Sequence, residues 1–447
     1  MSGPFADERV VVIGGGASGR AAARVLGEGG AEVWVTEQGD APRDREFAEL
    51  DVPVLAGGHR EEHLEGATLV VTSPGVAEGA DVLRWASSRG LRVWSELELG
   101  ARLCEVPYVA VTGTNGKTTT TELIASCMRA GGLDAVACGN IGHPFSLAAR
   151  ERRDALAVEA SSFQLRFSES LHPRVSALLN VSEDHLDWHG SMERYGDAKA
   201  RIYRLQGSGD THVGNRDDPR ASELSRAAPC DRAWFGLAEP GPGETGYRGT
   251  ELVSRIGRDA TIGSIDPARG AGFRADAAAA AAVALAFGMR PPDVSRGIRS
   301  FTPLPHRGEV VANLRGVRFV DDSKATNPHA VLMALDGLHD VVLIAGGLSK
   351  GVDLSPLASA APSIDAVVAI GEASPELVRV FEGLVDVRTA GTIEEAVRTA
   401  SGIARPGGTV LLAPACASQD MFRDYRERGE RFAAEVDRLA KGNAVDV

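Results

Sequence analysis

A glycine-rich segment that ends in lysine and threonine holds the residues best suited to chemistry. It reads GTNGKTTTT and begins at Gly113. Free backbone N–H groups at the start of a helix bind anions, and the Lys117 ammonium adds a full positive charge. The Thr118 hydroxyl is suited to Mg²⁺. The segment predicts a site for nucleotide phosphates, with a strand–turn–helix that binds nothing as the alternative. The usual spacing puts a glycine at position 111, where this chain has valine, so the loop is a shorter variant and does not alone define the reaction.

Acidic and histidine side chains follow two apolar segments, Ala155–Glu159 and Val175–Val181. Glu159 ends the first segment, where an unpaired buried charge is unfavourable. We therefore predict that it coordinates a metal rather than caps a helix. Asp184 and His185 follow the second segment. They are weaker candidates, because a histidine in a loop is often only a surface residue.

Two further polar residues are ambiguous from their local context. Asn140, in the segment GNIGHP, is able to direct its amide at a phosphate or a carbonyl. Lys199 lies in the helical segment Tyr195–Leu205. Helical spacing by itself predicts that Lys199 lies on a solvated face.

The elements around the phosphate loop predict an α/β domain. Tyr108–Val111 is a short apolar run typical of a buried parallel strand. Lys117–Arg129 has apolar residues at helical spacing and is followed by two glycines. We predict a P-loop ATPase domain over residues 106–303. Within it, Gly207–Gly270 is polar and glycine-rich, which indicates short strands and turns.

A second glycine motif lies near the start of the chain. Gly14, Gly16 and Gly19 follow an apolar strand in the pattern G-x-G-x-x-G, and a second strand comes later. The pattern predicts a Rossmann-like domain over residues 1–105. Taken alone it favours NAD or FAD, and the alternatives are another diphosphate ligand or a turn used only for packing. Ser73 and Gly75 follow a further strand and either contact a ligand or form a turn without function.

The last part of the chain again alternates strands with helices. The predicted strands Val341–Ala345, Ala366–Ile370 and Thr409–Ala413 indicate a doubly wound domain, and two of them run into the loops GGLSKG and PACASQD. We predict a C-terminal Rossmann-like domain over residues 304–447 and a hinge at Pro303–Pro305. The predicted fold class is α/β with three domains, Rossmann-like, P-loop ATPase and Rossmann-like.

The composition indicates a soluble globular protein. Of 447 residues, 43% are hydrophobic and 24% are charged. The net charge of −13 argues against nucleic-acid and anionic-membrane binding. We find neither a basic-then-apolar leader nor an uninterrupted apolar run long enough to span a bilayer, so membrane insertion is not expected. Five scattered cysteines without a C-x-x-C pattern indicate reduced thiols in a cytoplasmic protein and make zinc unexpected.

Considered together, the motifs resemble those of the Mur ligases of bacterial cell-wall synthesis. They occur in the order GTNGKTTT, GNIG, EASSFQL, NVSEDHLDWH, YGDAKARI, HR, DDSKATN, GGLSKG and PACASQDMFRDYRERGERF, and they cover essentially the whole chain. The resemblance implies ATP-driven amide formation between the carboxylate of UDP-N-acetylmuramoyl-L-alanine and the amine of D-glutamate. It implies ATP and two Mg²⁺ ions as cofactors, only small-molecule partners, and a monomer.

The resemblance also implies a role for each residue of the site. Catalytic or metal-binding roles fall to Lys117, Thr118, Glu159, His185 and Lys199. Lys199 matches the family lysine that is carbamylated, so the resemblance reverses the solvated position that spacing predicts. ATP contacts fall to Gly113, Thr114, Asn115, Gly116, Lys117, Thr118, Thr119, Arg307 and Asp322. Contacts to the UDP substrate fall to Gly15, Gly16, Ala17, Ser18, Ser73, Pro74, Gly75 and Asn140. D-Glutamate contacts fall to Lys324, Thr326, Lys350, Ser418 and Tyr425.

The implied chemistry sets physical requirements. A carboxylate is a poor electrophile, so it is first converted to an acyl phosphate, which the amine then attacks. Phosphoryl transfer needs in-line positioning and charge neutralisation, which the metals, Lys117 and Arg307 would supply. The acyl phosphate must be kept from water. We therefore expect the third domain to close over the central one at the hinge.

Three alternatives stay open on the sequence. A Rossmann oxidoreductase would use the first glycine motif for NAD(P), but it leaves the phosphate loop unexplained. A non-catalytic nucleotide-binding relative is suggested by Gly272, Phe273 and Asp276, which stand where the family often has H-N-x-x-N near the adenine. Lys117, Glu159, His185 and Lys199 are all present, and their presence argues against a non-catalytic relative. A sibling ligase that accepts another amino acid is the nearest rival.

Overall fold

A computed structural model of the chain describes residues 3–40, 50–266, 269–302 and 304–442. The chain divides into two compact units. The first comprises the described parts of Met1–Val181, Trp188–Gly263 and Asp276–Phe301, and the second those of Ser182–Asp187, Ser264–Ala275 and Thr302–Val447. Pro303 lies outside the described residues. The hinge at Pro303–Pro305 and the three domain boundaries therefore stay predictions.

The chain begins with a five-stranded parallel sheet in the order β3-β2-β1-β4-β5. Its strands are β1 (Arg9–Ile13), β2 (Glu32–Thr36), β3 (Val54–Leu55), β4 (Leu69–Thr72) and β5 (Arg92–Ser95), and its helices are α1 (Ala17–Glu28), α2 (Asp81–Ser88) and α3 (Glu96–Leu103). The apolar strand β1 is central and buried, as a strand covered on both faces must be. A Cβ on Gly19 would lie 1.9 Å from the Gly14 carbonyl oxygen, so this turn requires glycine. The predicted Rossmann-like fold is confirmed.

The central part of the chain forms a nine-stranded sheet in the order β14-β13-β12-β11-β10-β9-β6-β8-β7. The strands are β6 (Tyr108–Thr112), β7 (Ala135–Gly139), β8 (Ala155–Glu159), β9 (Val175–Leu178), β10 (Thr211–Asn215), β11 (Asp231–Phe235), β12 (Glu244–Arg248), β13 (Glu251–Ser254) and β14 (Ala260–Ser264). The helices are α4 (Lys117–Ala130), α5 (Phe145–Ala148), α6 (Ser162–Arg166), α7 (Leu186–His189), α8 (Met192–Ala200), α9 (Pro219–Arg226), α10 (Gly270–Phe287) and α11 (Pro291–Ser300). Every neighbouring pair in the sheet order from β12 to β7, including those made by the central strand β6, is parallel. Strand β13 pairs antiparallel with β12.

The predicted strands and turns of Gly207–Gly270 are present, but α9 was not predicted there. Its sequence signals are strong, since the Asp218 side chain caps the Ala221 N–H and Pro219 occupies the first turn. Helix α10 is long and apolar enough to cross a bilayer by length and composition, yet 56% of it is buried, as in the core helix of a soluble protein.

The C-terminal part forms a six-stranded sheet in the order β15-β16-β20-β17-β18-β19. Its strands are β15 (Glu309–Leu314), β16 (Val317–Asp321), β17 (Val341–Gly346), β18 (Ile364–Ile370), β19 (Asp386–Ala390) and β20 (Thr409–Leu412), and its helices are α12 (Pro328–Leu335), α13 (Ser374–Val380), α14 (Ile393–Ile403) and α15 (Tyr425–Gly442). Only the edge strand β15 pairs antiparallel. Leu343 and Ile344 pack into different apolar cores, which places helices on both faces of the sheet. The doubly wound prediction is confirmed.

Candidate active site

The loop between β6 and α4 has the geometry of an anion-binding turn. Gly116 precedes the helix with a φ of +78°, a conformation that side chains disfavour. A Cβ on Gly113 would lie 2.9 Å from the Leu179 Cβ, so the loop passes too close to its neighbour for a side chain. Lys117 begins the helix, and its Nζ donates to the carbonyl oxygens of Gly113 (3.0 Å) and Thr114 (2.7 Å). The Lys117 ammonium is therefore held against the loop that is predicted to bind phosphate.

Asn180 braces this loop from the neighbouring strand. Its Oδ1 accepts hydrogen bonds from the N–H groups of Thr114 (3.0 Å) and Asn115 (2.8 Å), and its Nδ2 donates to the Asn115 carbonyl (3.2 Å). The Tyr195 hydroxyl lies 3.1 Å from Thr114 Oγ1. Asn180 was not among the predicted site residues. The available signal is that it lies just beyond β9, which pairs with β6 and so ends beside the phosphate loop.

Glu159 is a buried carboxylate at the meeting point of three adjacent strand ends. Its Oε2 accepts from the Thr118 hydroxyl (2.7 Å) and its Oε1 from Asn140 Nδ2 (2.9 Å). The next helix, α6, is capped instead by Ser161 in a reciprocal pair with Gln164, so the capping alternative for Glu159 is wrong. Hydroxyl and carboxylate oxygens are the donors that Mg²⁺ prefers. The residues present at the phosphate loop therefore fit a magnesium–nucleotide complex.

Lys199 is buried, with 1% of its surface exposed. Its Nζ donates to the Gly113 carbonyl oxygen at 2.7 Å and lies 4.3 Å from the centroid of the Tyr195 ring. The solvated position that spacing alone predicts is therefore wrong. Lys117 and Lys199 donate to the same carbonyl, so two amines converge on the first glycine of the loop.

The N-terminal glycine loop is bonded to an acidic side chain. Glu37 Oε2 accepts the Gly15 N–H at 2.6 Å. Burial alone would raise the pKa of Glu37, but the backbone N–H groups of Gly15, Gly39 and Gln38 outweigh it and lower that pKa. Ser73 Oγ donates to the Gly14 carbonyl at 3.1 Å.

The other residues predicted to contact the UDP substrate lie around this loop. Ser73 and Pro74 line a small indentation together with Phe163 and Trp188 of the central part. Gly75 is exposed beyond them, Gly16 precedes α1, and Ala17 and Ser18 form its first turn. The predicted substrate residues of the first sheet therefore cluster at the carboxyl ends of β1 and β4.

In the second unit, His185 and the predicted ATP contacts occupy loops. His185 has a φ of +54°, and its Nδ1 lies 3.5 Å from Asp184 Oδ1. Asp322 follows β16, and its Oδ1 accepts the Gly308 N–H at 3.2 Å. Desolvation raises the pKa of Asp322 to about 7, while the nearby Arg307 guanidinium opposes that rise. Arg307 and Asp322 are therefore electrostatic neighbours.

The residues predicted to hold D-glutamate follow three adjacent strands of the C-terminal sheet. Lys324 Nζ lies 4.0 Å from the Tyr425 ring centroid, and Ser418 is 2% exposed. Lys350 is exposed in a left-handed turn with a φ of +53°. Its loop is joined to that of Ser418 because Leu348 and Ala417 exchange two backbone hydrogen bonds of 3.0 Å. Thr326 lies two residues beyond Lys324 in the same loop.

Three parts of the chain match domain families. Residues 8–95 match the Mur ligase MurD-like N-terminal domain, 111–242 the Mur ligase middle domain and 306–416 the Mur ligase glutamate ligase domain. The UDP-N-acetylmuramoylalanine–D-glutamate ligase of Frankia casuarinae is 43% identical, with 96% of this chain and 93% of that one covered. The protein of the same name in Thermobifida fusca is 42% identical, with 97% and 98% covered.

Solved structures share the fold at lower identity. UDP-N-acetylmuramate-alanine ligase MurC from Thermotoga maritima aligns with a TM-score of 0.61 and 18% identity, over 97% of this chain and all of that one. MurF from Acinetobacter baumannii aligns with a TM-score of 0.62 and 16% identity, over 95% and 90% of the two chains. Given the identity to the D-glutamate ligases over nearly its full length, the chain belongs to the Mur ligase family.

Proposed function

We propose that this chain joins D-glutamate to UDP-N-acetylmuramoyl-L-alanine at the expense of ATP, releasing ADP and phosphate. One observation carries the proposal. In a member of this family, the Thr118 hydroxyl and the buried Glu159 carboxylate lie 2.7 Å apart at the start of a phosphate-loop helix, beside Lys117. The choice of amino acid rests on the close relatives, which bear the name of that ligase.

The phosphate loop supplies the groups that a transferring phosphoryl requires. Backbone N–H groups at the start of α4 and the Lys117 ammonium bind the ATP phosphates and neutralise charge as it develops. Thr118 and Glu159 would hold Mg²⁺, which neutralises phosphate oxygens when bound. His185 and Lys199 would hold a second ion near the substrate carboxylate.

Carbamylation of Lys199 would convert its role from cation to metal ligand. The amine adds CO₂ and loses a proton, which leaves an anionic group with two oxygens at the end of the side chain. Because Lys199 is buried, the anionic carbamate would need a cation to compensate its charge, and a bound Mg²⁺ would supply it.

The remaining predicted residues would hold the three substrates. Arg307 and Asp322 would contact ATP from the C-terminal part. Two lysines, two hydroxyl-bearing side chains and an aromatic ring suit an amino acid with two carboxylates, and they are Lys324, Lys350, Thr326, Ser418 and Tyr425. The glycine loop at Gly15–Ser18 would bind the UDP diphosphate, with Ser73, Pro74, Gly75 and Asn140 placing the muramoyl part. We further propose a cytoplasmic monomer that acts on soluble small molecules.

The direct experiment is to measure phosphate release over UDP-muramoyl precursors crossed with D- and L-amino acids. We expect turnover only with ATP, UDP-N-acetylmuramoyl-L-alanine and D-glutamate together. Lys117→Ala should abolish that turnover, whereas Lys441→Ala, which removes an exposed lysine paired with Asp437, should leave it unchanged. Faster turnover with another amino acid would refute the assigned substrate. Phosphate release independent of any amino acid would refute the ligase itself.

A further inference from the structure

Arg428, in the first turn of α15, is the largest fully buried side chain of the described chain. Its guanidinium donates from Nε to Ser323 Oγ (3.0 Å), from Nη2 to the Ser323 carbonyl (2.8 Å) and from Nη1 to the carbonyls of Cys416 (3.2 Å) and Ala417 (3.4 Å). Among the residues that the structure describes, no carboxylate forms an ion pair with it. Its partners are neutral oxygens from two separate loops.

A buried cation without an ion pair is costly, and Asp420 and Asp321 offset that cost only through longer-range attraction, so the retention of Arg428 needs a geometric reason. Burial lowers the pKa of Arg428 to about 10, which still leaves the side chain charged at neutral pH. A planar guanidinium presents up to five donors in a fixed fork, and Arg428 uses three nitrogens to reach four acceptors on two loops, whereas a lysine ammonium has three donors on a single nitrogen. The arrangement therefore stabilises the relative position of the two loops.

Both loops carry residues that we assign to D-glutamate. Ser323 directly precedes Lys324, and Cys416 and Ala417 directly precede Ser418. The Ser323 hydroxyl also donates to the Tyr425 carbonyl at 2.7 Å. One buried guanidinium therefore connects the three segments that bear Lys324, Ser418 and Tyr425.

The predicted ATP contact Asp322 has anchors of its own. Its N–H donates to the Leu412 carbonyl at 2.9 Å, and its side chain accepts the Gly308 N–H at 3.2 Å. Neither bond involves Arg428. Loss of the guanidinium should therefore disturb the amino-acid side of the site more than the nucleotide side.

We propose that Arg428 and Ser323 are positioning residues that set the spacing of the D-glutamate-binding side chains without touching the substrate themselves. This inference rests on the proposed function for the identity of the ligand. It predicts that their removal weakens capture of the amino acid selectively, rather than weakening all substrates or the chemical step.

The test compares Arg428→Lys and Ser323→Ala with the matched control Arg431→Lys. Arg431 lies one turn along the same helix, is 41% exposed at its side chain and pairs with Glu394 at 2.8 Å. We expect the KM for D-glutamate to rise about tenfold or more in Arg428→Lys and about threefold in Ser323→Ala. The KM values for ATP and for the UDP precursor should stay within about twofold, as should all three in Arg431→Lys. Equal rises for all substrates, or a fall in kcat with the D-glutamate KM unchanged, would overturn the proposal.

Amide hydrogen exchange of the ligand-free protein gives a readout that does not depend on activity. Exchange at 323–326 and 416–418 should be faster in both variants than in the native chain, while the phosphate loop at 113–118 should be unaffected. If Arg428→Lys does not fold, Ser323→Ala alone tests the positioning role, because it removes only one hydroxyl group. Unchanged exchange in both loops would refute the positioning role. If the native chain showed no turnover with D-glutamate but amide exchange in the two loops still rose in the variants, the proposed substrate would be refuted and the positioning role would stand.

Discussion

Replacing Glu159 by glutamine separates a structural role of this side chain from a metal-binding role. The substitution keeps the shape of the side chain and removes its charge. The carboxylate accepts one bond from Thr118 (2.7 Å) and one from Asn140 (2.9 Å), and a glutamine amide keeps only one acceptor oxygen. The amide would either turn its NH₂ toward the Asn140 NH₂ or turn it toward the Thr118 hydroxyl, which is able to accept.

The structural role and the metal-binding role predict effects of different size, one on the free energy of unfolding and the other on the reaction rate. Hydrogen bonds to charged groups are worth about 1.5–3 kcal/mol each, so partial loss of the pair should reduce the free energy of unfolding by about 1–3 kcal/mol. A domain stabilised by about 5–15 kcal/mol stays folded after such a loss. Removal of one preorganised electrostatic group at a reacting centre costs about 2.7–4 kcal/mol, which lowers the rate by a factor of about 10²–10³.

The assay is phosphate release as a function of Mg²⁺ concentration, with urea unfolding measured in parallel. Glu159→Gln should lose rate and require more Mg²⁺ for half-maximal activity while unfolding cooperatively. The matched control is Glu122→Gln, which lies one turn beyond Thr118 on α4. Burial raises the pKa of Glu122, Arg129 opposes that rise and Glu159 adds to it, so Glu122 lies within electrostatic reach of Glu159. The control should stay within about twofold of the native rate. Native turnover and Mg²⁺ response in Glu159→Gln would refute the metal role.

Three further predictions concern residues in the central part of the chain, namely Lys199, Asn180 and His212. Depletion of CO₂ should lower turnover and bicarbonate should restore it if Lys199 is carbamylated, and Lys199→Arg should be inactive under both conditions; indifference to CO₂ would count against the modification. Asn180→Ala removes the brace on the phosphate loop and should raise the KM for ATP about tenfold, and an unchanged KM would contradict the bracing role. His212 is buried between the hydroxyls of Ser176 and Ser225, and burial lowers its pKa from 6.5 to about 3. As the pH falls, the imidazole of His212 is therefore protonated in the unfolded state before it is protonated in the folded state. Its contribution to the free energy of unfolding is complete above pH 6.5 and is lost as the pH falls toward 3. His212→Asn should flatten urea-unfolding stability across that window, and an identical slope would refute the assignment.

Patterns of neighbouring residues predicted several helices and strands well, because the interactions that form these elements are local. The strands β6 and β8 and the helix α4 lie within one residue of the predicted bounds, since apolar runs and glycine stops depend only on neighbouring residues. Longer-range effects moved some boundaries. Strand β9 ends at Leu178 rather than at the predicted Val181. Beyond Leu178 the chain contacts the phosphate loop, where the Asn180 side chain accepts from Thr114 and Asn115, and no local pattern reports that contact.

The sequence by itself determined three α/β modules, the phosphate loop with Lys117, and an acid at the end of a buried strand. Each of these follows from residue type and spacing over fewer than about twenty positions, the range over which helix and strand periodicity act. The resemblance to the family added the roles that we propose for the loop residues.

Only the tertiary structure decided which side chains meet. The sheet order places β8 between β6 and β7, and this order brings Thr118, Glu159 and Asn140 together from separate segments. Helical spacing left Lys199 on an outer face and gave no sign that Arg428 would be buried without an ion pair. Whether a helix face meets water or protein depends on what packs against it, and that is a property of the assembled sheets and not of the helix.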